Sequence, residues 1–429
     1  MRRITISGIA VSGIAVSGLV ALAAVLGSGA GPAAAVTRPA AVTQLAAAAR
    51  AASVAAPAAG GSLTEIFPKI SCVSAADCLG IEGSTGTTTV TSIARWNGSA
   101  WKRARVTLPK GTRSLDLTGV SCKGAKSCLV VGDYYMSTSS SALGHALALM
   151  YNGTSLRPTP RVPLPAAATD VTLGGVSCTT SSHCVAFGTA AGNSAAFGTT
   201  GMVTLIETWN GAKWTLHTVA SPAKAAVEFS GISCVTSVYC VLAGEYFSST
   251  GTETLYLRSW NGKKLTVMKP ASLGSSKGLP IVGSVSCATL SNCGVAGIMD
   301  GSSTGTVSGF AEVWNGKTWR AATLAWPAAT AESFLLGISC FGAHTCDAVG
   351  LAGSATTPSA VAEAYNGTSW ALQPVPAPAT GRVSILSSVS CLSAAKCVAV
   401  GETGLASAAT PATMTGVWNG TSWTFDPGF

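Results

Sequence analysis

Two kinds of short apolar run alternate along the chain, each closed by turn-forming residues. The first ends in Val-Ser or Ile-Ser followed by a cysteine, as in Leu117-Thr118-Gly119-Val120-Ser121-Cys122. The second follows another cysteine and ends in glycine, as in Leu129-Val130-Val131-Gly132, Val185-Ala186-Phe187-Gly188 and Val398-Ala399-Val400-Gly401. Runs of this length bounded by small residues predict β-strands, and the five residues between the cysteines predict a hairpin. A third run ends in an aromatic residue and Asn-Gly, at Trp96, Tyr151, Trp209, Trp260, Trp314, Tyr365 and Trp418. Asn-Gly tolerates positive φ, so a fourth strand should follow. It opens with Trp101, Trp214, Trp319, Trp370 or Trp423, four residues past the Asn, and with Leu156 and Leu265 in copies two and four. Paired rings across such a turn fix its register by about 1 kcal/mol. Beyond the fourth strand lies a Pro-rich connector, as at Pro374, Pro376 and Pro378.

Seven copies of this unit fill the chain from residue 63 to 429. Their cysteines fall in C-x5-C pairs: Cys72/Cys78, Cys122/Cys128, Cys178/Cys184, Cys234/Cys240, Cys287/Cys293, Cys340/Cys346 and Cys391/Cys397. Four short antiparallel strands per unit, at a period of 50 to 56 residues, predict an all-β fold, a seven-bladed β-propeller of four-stranded antiparallel blades. Composition agrees: charged residues make up only 10% and glycine numbers 49, which suits short strands and tight turns better than charged helices.

The order of elements, with an aromatic before the turn, Trp after it and a Pro-rich exit, resembles the kelch repeat. Kelch blades usually carry a Gly-Gly pair after the second strand. Here there is a single glycine at 132, 188, 244, 297, 350 and 401, with Gly83 one place later in the first copy. The chain also resembles secreted actinobacterial Cys-paired Trp-Asn-Gly repeat proteins, a group with no established activity.

Met1-Arg2-Arg3, the apolar stretch Ile4 to Val25 and the small residues ending at Ala35 have the three parts of a signal peptide, assigned to residues 1–35. Left uncleaved, the same stretch would serve as a membrane anchor. Residues 36–62 are nearly all Ala, Pro, Gly and small polar residues, the composition of a flexible tether. Without residues 1–35 there remain 24 Lys and Arg against 17 Asp and Glu, scattered apart from Lys102-Arg103-Ala104-Arg105. That run reads as a solvated strand edge, and no nucleic-acid partner is expected.

In an exported chain, regularly spaced cysteine pairs predict disulfides, each within its own hairpin. Closing so short a loop stabilises by roughly 2 kcal/mol. Zinc sites favour tighter spacing and further ligands, and the chain offers only His145, His183, His217 and His344, so no metal or other cofactor is expected.

The C-x5-C and Asn-Gly loops share one face of the disc and are uniform. On the other face, second cysteine to Asn spans 19, 24, 26, 21, 22, 20 and 22 positions, whereas Asn to the next cysteine spans 24 to 26. Variation therefore concentrates between strands two and three, where binding residues tend to sit. Two of these segments open with acid-aromatic-aromatic: Asp133-Tyr134-Tyr135 and Glu245-Tyr246-Phe247. Rings beside a carboxylate suit a sugar or peptide. Packing of the rings between blades is the alternative.

No G-x-S-x-G, H-E-x-x-H or phosphate loop is present, the turns differ from sialidase boxes, and no catalytic residue is assigned. The expectation is a monomeric, secreted or envelope-associated binding propeller for an extracellular carbohydrate, peptide or protein. Alternatives are a propeller glycoside hydrolase or lyase, and a structural protein of the cell envelope.

Overall fold

A computed structural model of the chain describes residues 65–84, 92–137, 143–192, 202–219, 225–248, 253–273, 278–301, 306–327, 330, 332–354, 357–378, 381–405 and 412–426. The signal segment and the tether lie outside them, as do the loops between second and third strands, apart from residues 136–137 and 143–144 of blade 2.

Every regular element is a strand, and the strands form seven antiparallel blades arranged as a β-propeller. The first strands span Glu65–Ser74, Ser114–Gly124, Ala168–Thr180, Ala225–Thr236, Leu279–Thr289, Glu332–Phe341 and Arg382–Ser393. Blade 7 continues with Lys396–Leu405, Ala412–Trp418 and Trp423–Phe425, paired in that order. Blade 2 gains a two-residue outer strand, Arg105–Val106, lent by the connector from blade 1.

Each C-x5-C pair bridges within its own hairpin, as the spacing predicts. The bonds are Cys72–Cys78, Cys122–Cys128, Cys178–Cys184, Cys234–Cys240, Cys287–Cys293, Cys340–Cys346 and Cys391–Cys397, with the two Cα atoms 3.9 to 4.0 Å apart in every case. The second cysteine also pairs across the sheet with the turn aromatic of the third strand, Cys128 with Tyr151, Cys184 with Trp209, Cys240 with Trp260 and Cys293 with Trp314. Flanked on both edges, it is buried in all seven blades. Seven such bonds are what an oxidising environment such as the extracellular one favours.

The Asn-Gly loops are four residues long. In each, the Asn side-chain oxygen accepts the N–H groups two and three residues on, and the glycine takes a positive φ, as at Gly420 (100°). The flanking aromatics meet as predicted, with Trp96–Trp101, Trp209–Trp214 and Trp418–Trp423 centroids 5.5, 5.3 and 5.7 Å apart.

The lone glycine within six of the second strands, which run on past it, has a steric cause. Each of those first strands carries a β-bulge, as between Phe229 and Gly231 or between Leu386 and Ser388, with Gly244 and Gly401 opposite. The bulge pushes a first-strand carbonyl against the glycine, so a Cβ at Gly244 would lie 1.9 Å from Glu228 O. In blade 1 the irregularity falls between Ile66 and Lys69, and Gly83 pairs with Ile66 at that junction. This accounts for the displaced glycine of the first copy.

The serine before each first cysteine builds a belt around the axis. A first strand has only one neighbour in its blade, so N–H groups on its free edge need other acceptors. The Cys122 N–H donates to Ser71 Oγ of blade 1 at 2.9 Å, and the pattern repeats from Cys178 to Ser121, Cys234 to Ser177, Cys287 to Ser233, Cys340 to Ser286 and Cys391 to Ser339. Cys72 N–H donates to Ser390 Oγ at 3.1 Å and completes the ring. Val398 and Val400 of blade 7 pack with Cys72, Cys78 and Trp96 of blade 1. The two terminal blades thus meet without sharing a strand.

Replacing one belt serine by alanine strands a buried donor, at about 1–2 kcal/mol. Ser390→Ala and Ser233→Ala should lose equal stability in denaturant titrations, because each removes the same Cys N–H to Ser Oγ bond, although the closing seam also has the Ile70 N–H to Ser388 Oγ bond. A much larger loss at Ser390 would show that the seam depends on this bond more than its neighbours do.

Candidate functional site

The disc has a turn face, carrying the cysteine hairpins and Asn-Gly loops, and a loop face, carrying the variable segments and connectors. The acid-aromatic-aromatic residues stand at the loop face but are strand residues. The second strands run on through Ser127–Tyr135 and Tyr239–Ser248. Successive side chains of a strand point to opposite faces, so each trio divides between two inter-blade clefts.

In blade 4, Glu245 faces blade 5. Its Oε1 accepts the Val282 N–H and its Oε2 the Ser230 hydroxyl at 3.1 Å. Tyr246 turns the other way, stacking on Tyr256 at 5.9 Å. Tyr256 carries the Arg258 guanidinium 3.5 Å above its ring and touches Phe229, which meets Phe187 of blade 3. Phe247 pairs with Glu253 across the sheet, and both flank the Glu245 side. In blade 2, Asp133 is buried near Asp170 of blade 3, whose carboxylate holds the Gly144 N–H at 2.7 Å. Tyr134 packs instead against His145, 5.1 Å between ring centres, in the core shared with blade 1. Tyr135 is buried. The structure gathers neither trio into one platform of rings beside a carboxylate.

What gathers instead is acid. In the cleft between blades 4 and 5, Glu228, Glu245, Glu253 and Asp300 sense one another. Burial pushes the Glu245 carboxyl up to about 8, with the charges of Glu228 and Glu253 adding to the rise. The N–H of Val282 and the Ser230 hydroxyl offset only part of it. Burial likewise lifts Glu253 to about 7, with Asp300 and Glu228 contributing. Glu402 of blade 7, 5% exposed, is raised to about 8 by burial. Glu82 of blade 1 is buried but ion-paired to Arg103 at 3.1 Å.

Three further carboxyls went unassigned by sequence. Glu207, Glu312 and Glu363 sit two residues before the turn aromatic on third strands, each fully buried. Glu312 accepts the Ala271 N–H and Glu363 the Ala325 N–H, both at 2.9 Å, so each ties down the connector arriving from the preceding blade. Among the described residues, neither oxygen of Glu207 has a partner. Met136 and Leu143, which flank the variable segment of blade 2, are 49% and 48% exposed and are the large apolar side chains presented at that rim. Their only signal in the sequence was their position.

Among the described residues, one trio of metal-ligand types lies within reach of a common ion: Asp347, Cys391 and Cys397. Both sulfurs are joined in a disulfide, and Asp347 Oδ2 rests 3.1 Å from Cys397 Sγ, so the trio is a packing contact rather than a ligand set. A groove of about 360 Å³ between Pro327 and Val375 is lined chiefly by Pro, Ala, Val and Leu, with Gln373 its one polar side chain.

No family model matches the chain, and no curated protein matches it. Solved structures share its shape. A polysaccharide lyase, the PL25 ulvan lyase, aligns over 82% of this chain and 92% of its own at 9% identity, with a TM-score of 0.52. The same lyase bound to -[GlcA(1-4)Rha3S]- gives 9% identity, the same coverage and 0.51. YCF48 bound to D1 peptide gives 11% identity over 83% of this chain and 93% of its own, with 0.47. At such identities the likeness extends to the fold alone.

Proposed function

We propose that this chain is an exported, kelch-like, non-catalytic propeller that binds an extracellular carbohydrate, peptide or protein on its loop face. The observation that carries the reading is the contrast between the two faces. Loops of the turn face are fixed in length, whereas segments between second and third strands differ by up to seven positions, and described residues that flank them line carboxyl-bearing clefts or, as Met136 and Leu143, are exposed. A rigid scaffold with variation on one rim is the arrangement of a recognition surface. Acids that border these clefts are engaged with backbone N–H groups at Glu245 and Asp170, which suits holding a shape more than turning over a substrate.

The test is an array of glycans and peptides probed with the full chain. The expected result is retention of a ligand class, weakened about tenfold or more by Met136→Ser with Leu143→Ser. No retained ligand would return the chain to a structural role in the envelope. Chemical cleavage of an arrayed glycan would move it to the lyase or hydrolase class.

A further inference from the structure

The turn face carries a charge pattern of its own. Its fourteen tight loops hold seven lysines and a single acid. Blade 2 presents Lys123 and Lys126, blade 3 Lys213, blade 4 Lys263 and Lys264, blade 5 Lys317 and blade 7 Lys396, all exposed. The lone acid, Asp77, is held by Arg95 Nε at 2.8 Å. At the loop face stand Asp116, Asp133, Glu228, Glu245, Asp300 and Glu402. Lys110, Arg113 and Arg382 stand at the loop face as well, so its charge is mixed, whereas the turn face is nearly all of one sign.

Aliphatic side chains share the turn face. Val238 and Leu290 occupy the tips of the cysteine hairpins in blades 4 and 5, Leu392 follows Cys391 on the hairpin of blade 7, and they are 57%, 53% and 40% exposed. Each stands in a blade whose turn-face loops also carry lysine. Val238 lies against the turn bearing Lys263 and Lys264, since a Cβ on Gly262 would come within 3.0 Å of its Cγ1. Hairpin and turn are fixed to each other by indole N–H groups: Trp314 donates to Leu290 O at 3.1 Å and Trp418 to Ala394 O at 2.9 Å. The pattern is therefore presented on a preorganised surface.

We propose that the turn face docks on an anionic lipid bilayer, its lysines against lipid phosphates and Val238, Leu290 and Leu392 entering the headgroup layer. Lysines near an anionic membrane each add attraction that falls off within a Debye length, and aliphatic tips add the part that salt does not screen. A soluble polyanion would use the ammonium groups but has no place for the tips. Docked in this way, the molecule turns its loop face outward, where a ligand can reach it.

The test is co-sedimentation of the full chain with phosphatidylglycerol-containing vesicles and with neutral phosphatidylcholine vesicles. The neutral vesicles set the baseline from any apolar segment elsewhere in the chain. Binding to the anionic vesicles should exceed that baseline at low salt and fall sharply at high salt. Lys263→Gln, Lys264→Gln and Lys317→Gln together should weaken it on the order of 100-fold, and Val238→Ser, Leu290→Ser and Leu392→Ser together by about tenfold. Equal binding to both vesicle types overturns the proposal. So does an equal loss from Lys110→Gln with Arg113→Gln at the loop face. Lysine variants that lose binding while the serine variants keep it, with soluble polyphosphate competing, would assign the face to a soluble polyanion instead. The ligand array reads the other face, so either experiment can fail without the other.

Discussion

Raising the pH from 5 to 8 should lower the melting temperature by about 6 °C, the reverse of what a protein stabilised by ion-paired carboxylates does. Six buried carboxyls hold their protons well above the ordinary carboxylate range: Glu207, Glu245 and Glu402 at about 8, and Glu253, Glu312 and Asp347 at about 7. Burial is the leading cause in every case, because a low-dielectric surrounding penalises the ionised form. Between pH 5 and pH 8 the unfolded chain has released these protons and the folded one still binds them. Stability is then full below the unfolded values and is lost as pH rises through the folded ones. A tenfold difference in proton affinity between the folded and unfolded chain is worth about 1.4 kcal/mol, and a combined loss of roughly 5 kcal/mol allows for water reaching some of the groups. Lys69, Lys123 and His217, lowered by burial, work in the opposite sense but are three against six.

Glu207 is the sharpest single probe, being fully buried with both oxygens unpartnered among the described residues. Glu207→Gln keeps the shape and removes the titration, so its melting curve should vary less with pH and should lie above wild type at pH 8. Differential scanning calorimetry across pH 5 to 8 with disulfides intact is the measurement. A flat or rising wild-type profile would mean that these carboxyls ionise in the folded state without cost.

How much of this was legible in the sequence depends on how local each cause is. The C-x5-C hairpin and the aromatic-Asn-Gly turn involve neighbours a few residues apart, so spacing alone predicted both the bridges and the ring pairs. The serine before each cysteine was visible in all seven copies, but its role lies in an N–H more than 50 residues away on the next blade. The same holds for Glu312 and Glu363, whose partners belong to the connector of the preceding blade. The trios at Asp133 and Glu245 read as loop openings in the sequence, whereas the second strands continue through them. Taken as loop residues, their three side chains could converge, whereas two-residue alternation in a strand sends the middle one away.

The second large effect is expected at Gly350. An alanine there would place its Cβ 1.8 Å from the Phe334 carbonyl oxygen, with Phe334 C and Leu335 Cα within 3.0 Å. All three are backbone atoms, so no side-chain rotation can make room. The chain would have to undo the bulge between Leu335 and Gly337 that brings the carbonyl there. Undoing it would shift the register of the first strand, moving Cys340 out of line with Cys346 and Ser339 away from the Cys391 N–H. A loss of about 4 kcal/mol or more is therefore expected for Gly350→Ala, beyond ordinary overpacking because strand register, disulfide and belt move together. Gly124 is the control: a Cβ there meets only Ser127 Cβ at 3.8 Å, and Gly124→Ala should stay within about 0.5 kcal/mol of wild type. Denaturant titration of the oxidised proteins measures both. If Gly350→Ala unfolds at the wild-type midpoint, the bulge is soft and the single glycine of each blade has some other cause.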